Sequence, residues 1–390
     1  MPTGILFALR HKEILMHRPT SFLPLAATAV LALALATGAQ AAAPVIDIGY
    51  AGPISGPVTQ YGDMVKEGID TAIERINADG GVLGRQLKLV AVDDGCEPKQ
   101  GPIAANRMIN DHIGFVIGHV CSGATIAAAS IYNEEGVLMI TPSATTPALT
   151  DGKHFETIFR TIGRDDQQGP AAARFIAQHA RPAKVAILHD KQSYGHGIAH
   201  AVHAGLEKAG VNVVLCEGIG AGDSDYSAII TRLKTAGVDF VYYGGYHPEM
   251  GLLMRQAAEQ GLKARFMGPE GVGNPDINAI AGDAVEGMLL TLPADFSRAP
   301  RNAAIVQAFE AKHRNAAGAF QLSAYAAMQA IATGIAGTRS TDPGVVAHYL
   351  HTHEVDTPLG LLSWNAQGDL NEFEFAVFTW HKDGGKSAAL

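Results

Sequence analysis

Short apolar runs and amphipathic stretches alternate along most of the chain. Val45-Ile46-Asp47-Ile48-Gly49 reads as a first strand, and Met64 to Asn77 as a helix with Val65, Ile69, Ala72, Ile73 and Ile76 on one face. Gly80-Gly81 stops that helix. The cycle continues with strands at 87–92, 115–120 and 137–141 and helices at 103–110 and 124–132. It restarts with strands at 184–189, 211–216, 240–243 and 264–267, separated by helices at 197–209, 226–235 and 249–261. Glu156 to Asp166 reads as an extended crossing between the two series. Beyond Met288-Leu289-Leu290, residues 303–312 and 323–331 return to helix, and Phe373 to Trp380 is an extended tail with alternating character. Valine-, leucine- and isoleucine-rich strands alternating with helices predict parallel sheets covered on both faces. The fold class is therefore α/β, with two domains and a cleft between them. Short crossings without a low-complexity linker fit a hinged pair.

Composition changes the picture at the N-terminus. Phe22 to Ala36 (FLPLAATAVLALALA) is an apolar stretch preceded by Arg10, Lys12 and Arg18, and Ala39-Gln40-Ala41 is a small-x-small cleavage site. Residues 1–41 read as a cleaved secretory signal, with Met16 a second candidate start. The apolar run is shorter than a membrane span, and no cysteine at the cleavage point suggests a lipid anchor. The leader carries three basic residues and one acidic residue, so its removal takes the formal net charge from −9 to −11. An acidic exported chain argues against a nucleic-acid partner. The remaining 349 residues exceed one ordinary core and suggest two domains. Cys96, Cys121 and Cys216 would meet an oxidising compartment, where a disulfide persists. Spacing alone does not choose the pair.

In parallel sheets the ligand crevice lies at the strand C-termini. Six polar or glycine-rich runs fall there: AGPISGPVTQY (51–61), CSGAT (121–125), TPSAT (141–145), HDKQSYG (189–195), GGY (244–246) and GPEG (268–271). Three come from each series, as a site between two domains requires. Ser122 lies at a helix start, where a hydroxyl and free amides stabilise an anion; an N-cap serine without a ligand is the alternative. Thr145 has the same two readings. Glu270 is open to holding an ammonium group or to an ordinary surface ion pair. Tyr61, Tyr194 and Tyr246 suit an aromatic rim, although tyrosine also fills cores. Together these groups match a zwitterion with an apolar middle, whose buried charges each need a partner.

No catalytic set emerges. Cys121 is open to three readings: a nucleophile, a staple beside a pocket, or part of a helix cap. His119, two residues earlier on a strand, points to the same face, but no third group orients such a pair. The sequence has no H-E-x-x-H, G-x-G-x-x-G or Walker pattern. Asp93-Asp94 and Asp165-Asp166 read as solvated loop acids rather than a metal site. Neither enzymatic activity, nor a cofactor, nor a metal is expected.

The runs DDGCEPKQ (93–100), VIGHVCSGAT (116–125), EEGVLMITPSAT (134–145), HDKQSYG (189–195), DFVYYGGYHPEMG (239–251) and FMGPEGVGN (266–274) resemble the periplasmic leucine/isoleucine/valine-binding proteins of bacterial ABC importers. The likeness runs from Pro44 to about Lys382. It implies a type 1 periplasmic binding fold: two Rossmann-like lobes, three crossovers and an interlobe cleft. One lobe would comprise residues 44–163 with 293–373, the other 164–292 with 374–390. The resemblance implies a disulfide between Cys96 and Cys121, leaving Cys216 as a buried strand thiol. It gives the ligand carboxylate to Ser122 and a part in both charged ends to Thr145. It gives the ammonium to Glu270 and to the backbone carbonyl of Ser143, a position commonly alanine. Tyr61, Tyr194, Tyr246 and Phe320 match aromatic contacts, and Val120 a wall position where leucine is also seen. Cys121 and Ala144, on the same two turns, complete the implied ligand-binding set. The implied ligands are leucine, isoleucine and valine. The implied setting is the periplasm, where a monomer serves an inner-membrane permease and its ATPase subunits. A sensing partner of a membrane receptor, or a site for another small apolar amino acid or amide, would use the same fold.

Overall fold

The computed structural model describes residues 45–389, and the leader expected at 1–41 lies outside them. The first sheet is entirely parallel. It contains β1 (Val45–Gly52), β2 (Gln86–Asp93), β3 (Phe115–Gly118), β4 (Leu138–Thr141) and β5 (Ile158–Arg160) in the order β2-β1-β3-β4-β5. Between them run α1 (Thr59–Ala78), α2 (Gly101–Asn110) and α3 (Ser122–Glu134). Every residue of β3 and β4 is buried, the outcome expected of a strand covered on both faces.

After β5 the chain crosses to the second sheet through α4 (Asp165–Phe175). There β6 (Val185–His189), β7 (Val213–Gly218), β8 (Phe240–Gly244), β9 (Arg265–Gly268) and β10 (Met288–Pro293) alternate with α5 (Ser193–Lys208), α6 (Ser227–Ala236), α7 (His247–Glu259) and α8 (Asp276–Ala281). The chain then returns to the first lobe with α9 (Ala303–Glu310), α10 (Gln321–Thr338), α11 (Pro343–Thr352) and a hairpin of β11 (Val355–Thr357) and β12 (Gly360–Leu362). It crosses a third time to add β13 (Phe375–Trp380) antiparallel to β10, and β14 (Lys386–Ala388) antiparallel to β13. The second sheet thus has the order β14-β13-β10-β9-β8-β6-β7. None of the described helices is long and apolar enough to cross a membrane.

The predicted face of α1 is the buried one: Val65, Ile69 and Ala72 have no exposed surface. Gly68 on that helix lets α10 approach closely, since a β-carbon there would lie 2.2 Å from the carbonyl oxygen of Gln321. This contact brings Tyr61, in the first turn of α1, beside Phe320, the N-cap of α10, with ring centroids 5.8 Å apart.

Four expectations need correction. The crossing at 156–166 is not extended throughout, because β5 lies within it and α4 begins at Asp165. The acids of DDQQGP stabilise a helix start but carry no apolar period to announce it. Cys216 sits on β7 but is exposed, because β7 is an edge strand. Asp94 and Asp165 are not solvated; both are buried, while their neighbours Asp93 and Asp166 are exposed. Ser122 is the first residue of α3 rather than its cap, a position taken by Cys121 without a side-chain hydrogen bond.

Candidate functional site

Strand ends from both sheets converge on one cavity. It is lined by Tyr61, Val120, Ser122, Ser143, Tyr194, Tyr246, Glu270, Gly271 and Phe320. Each has a local reason to be there. Val120 and Ser122 flank the turn from β3 into α3, so Ser122 presents its hydroxyl at the start of a 13-residue helix. Ser143 lies on the turn after β4 and donates its hydroxyl to the Val120 carbonyl at 2.8 Å, joining the two turns. Tyr194 is in the first turn of α5, Tyr246 is the N-cap of α7, and Glu270 opens a one-turn helix after β9.

The aromatic rings form one connected wall. Tyr61 and Tyr246 have centroids 5.9 Å apart, and Tyr194 and Tyr246 5.2 Å. The Tyr61 hydroxyl donates to the Gly271 carbonyl and lies 2.9 Å from His247 Nδ1, bridging the two lobes. Gly271 donates its own N–H to the Tyr194 hydroxyl at 3.1 Å.

The electrostatics are asymmetric. Glu270 is buried and held by Gln168, whose amide also donates to Thr291 Oγ1 at 2.7 Å. Burial pushes the Glu270 carboxyl up to about 7, opposed by hydrogen bonds from Tyr194 and Gln168. Burial likewise pushes Asp165 up to about 8, with the Glu270 charge adding to it. The Thr145 hydroxyl lies beside both carboxyls. This end of the site therefore gathers two buried carboxyl groups. The opposite end, at the start of α3, offers donors. A small solute bearing an ammonium, a carboxylate and an apolar middle is complementary to both.

Of the eleven residues expected in the site, eight line the cavity. The other three do not. Cys121 is joined to Cys96 with a Cα–Cα separation of 5.3 Å, which excludes the nucleophile reading. Ala144 gives its carbonyl to the buried Arg160 at 2.8 Å. Thr145 gives its carbonyl to the Asp165 N–H at 2.9 Å, directly at a lobe crossing. Sequence reasoning missed Gly271, His247, Gln168 and the burial of Asp165. The i, i+3 spacing of Asp165 and Gln168 was the available signal once α4 is known to be helical. Among the described residues, no group of three or more histidine, cysteine, aspartate or glutamate side chains is placed to hold a metal ion.

The chain is similar to known proteins over most of its length. A leucine-, isoleucine-, valine-, threonine- and alanine-binding protein of Pseudomonas aeruginosa is 52% identical over 359 residues, 92% of this chain and 96% of that one. A Leu/Ile/Val-binding protein of Escherichia coli is 48% identical over 352 residues, 90% of this chain and 95% of that one. The crystal structure of a leucine-binding protein of Thermotoga maritima superposes with a TM-score of 0.82 at 27% identity, covering 88% of this chain and 98% of that one. Residues 45–386 match the periplasmic binding protein family as a continuous block. The chain belongs to the periplasmic binding protein family.

Proposed function

We propose that the protein captures the branched-chain amino acids leucine, isoleucine and valine in the periplasm and delivers them to an ABC importer. The observation that carries this reading is the cavity between the two sheets, with Ser122 and a helix start at one side and the buried Glu270 at the other. Relatives at about half identity bear the names of leucine-, isoleucine- and valine-binding proteins.

In this reading the lobe of residues 44–163 with 293–373 receives the ligand first. Ser122 and the amides of α3 take the carboxylate. Thr145 and the Ser143 carbonyl take part at the ammonium end. The lobe of residues 164–292 with 374–390 then closes, bringing Glu270, Tyr194 and Tyr246. Gln168 orients Glu270, with Asp165 buried nearby. Val120, Tyr61 and Phe320 receive the aliphatic side chain. Closure removes water and strengthens each charged hydrogen bond. An inner-membrane permease, driven by separate ATPase chains, would read the closed form of the monomer. No bond in the ligand is made or broken.

Calorimetric titration of ligand-free protein with each of the twenty amino acids tests the proposal. Saturable binding of leucine, isoleucine and valine is expected. Binding confined to other solutes, or no binding, would overturn it.

A further inference from the structure

Beneath the turn that carries Ser122 lies a buried polar network that the ligand site does not include. Asp94 and His119 have no exposed surface, and His119 Nδ1 lies 2.6 Å from Asp94 Oδ2. The other Asp94 oxygen accepts the Cys96 N–H at 2.8 Å. His119 Nε2 faces the Tyr132 hydroxyl on α3 at 3.2 Å. The His119 carbonyl receives the hydroxyls of Thr125, at 3.2 Å, and Thr141, at 2.8 Å. Thr141 Oγ1 in turn accepts the Ala144 N–H at 3.0 Å. One residue thus meets the loop after β2, the helix α3 and the end of β4.

We propose that Asp94 and His119 form a positioning clamp for the carboxylate end of the ligand site, acting in parallel with the Cys96–Cys121 disulfide. The inference rests on the functional reading above. Its geometric basis is that the two ties join the same two segments, each two residues from the other: Asp94 to His119, and Cys96 to Cys121. A single tie leaves a segment free to pivot about it. Two ties fix its direction, and the fixed segment leads directly into Ser122. Asp94 does not touch the cavity, and neither does His119; both act through the backbone of residues 119–122.

Leucine affinity, measured well below the melting temperature, tests the clamp in His119→Leu, His119→Asn, Asp94→Asn, Cys96→Ser and the His119→Leu/Cys96→Ser double variant. His119→Leu should weaken leucine binding about tenfold, and His119→Asn, whose amide can donate from near the Nδ1 position, should recover most of that loss. The double variant should lose at least about threefold more than the product of its single losses, because each single variant keeps one tie and the double variant keeps none. Asp94→Asn, isosteric and foldable, should weaken binding even if His119→Leu does not fold. Lowered melting temperatures with wild-type affinities in the folded variants, or single losses that simply multiply, would overturn the clamp. If the wild-type protein binds no amino acid, it is the functional reading that fails.

Discussion

The hydroxyl of Tyr61, in the first turn of α1, donates to the carbonyl of Gly271, 210 residues later in the other lobe. Both residues are buried, and both line the cavity between the sheets. The contact therefore joins the two lobes at the candidate site itself. Tyr61→Phe keeps the ring and removes the bridge, leaving a buried carbonyl without its donor. A net hydrogen bond is worth about 1 kcal/mol, so leucine should bind roughly fivefold more weakly. Stopped-flow measurement should assign the loss to faster release, as closure contacts act on dissociation.

Glu270→Gln should be more severe. The amide fills the same space and can still meet Gln168, but it cannot neutralise a buried ammonium. Truncating one partner of a buried charged pair costs about 2 to 5 kcal/mol, so affinity should fall by a factor on the order of a hundred, as read by calorimetry. Unchanged affinity would remove Glu270 from the ammonium role.

The same carboxylates predict a pH dependence. Burial raises Glu270 to about 7 and Asp165 to about 8, above their unfolded values. The folded, ligand-free protein therefore holds protons that the unfolded chain has released. Their contribution to stability is full below the unfolded values near 4 and is lost as pH rises through about 7 to 8. An ammonium bound beside Glu270 favours the ionised form, so binding releases protons. Leucine affinity should rise between about pH 5 and pH 8, and calorimetry in buffers of different ionisation enthalpy should register proton release at pH 6 to 7. Proton uptake, or affinity falling across that window, would contradict the charge arrangement.

The disulfide makes a separate prediction. Native, unreduced protein should show one reactive thiol, the exposed Cys216, and three after unfolding in reductant. With a sequence separation of 25 between Cys96 and Cys121, the chain-entropy model gives a contribution of about 3.5 kcal/mol. Cys96→Ser should lower the melting temperature accordingly. Three reactive thiols in the native protein would remove the staple.

These contacts also show what was legible in the sequence. The strand–helix alternation and the turns at strand ends were visible, because a parallel sheet leaves both an apolar period and a fixed direction for its ligand crevice. The fate of single acids was not. Asp93 and Asp94 are adjacent, yet Asp93 is exposed while Asp94 is buried against His119. That difference depends on a partner 25 residues away. Cys216 was misplaced for a related reason. Its strand reads like its neighbours, but sheet order, which local sequence does not encode, leaves β7 at the edge. Helix α10 shows little period because it is buried on most of its surface, so its ends were read short at 323–331 against Gln321–Thr338.

The most direct measurement is a crystal structure of the protein loaded with leucine. The account predicts the ligand carboxylate within hydrogen-bond reach of Ser122 and the first amides of α3, the ammonium against Glu270, and the side chain among Val120, Tyr61 and Phe320. A leucine lodged outside this cavity, or inside it with its charged ends reversed, would contradict the account.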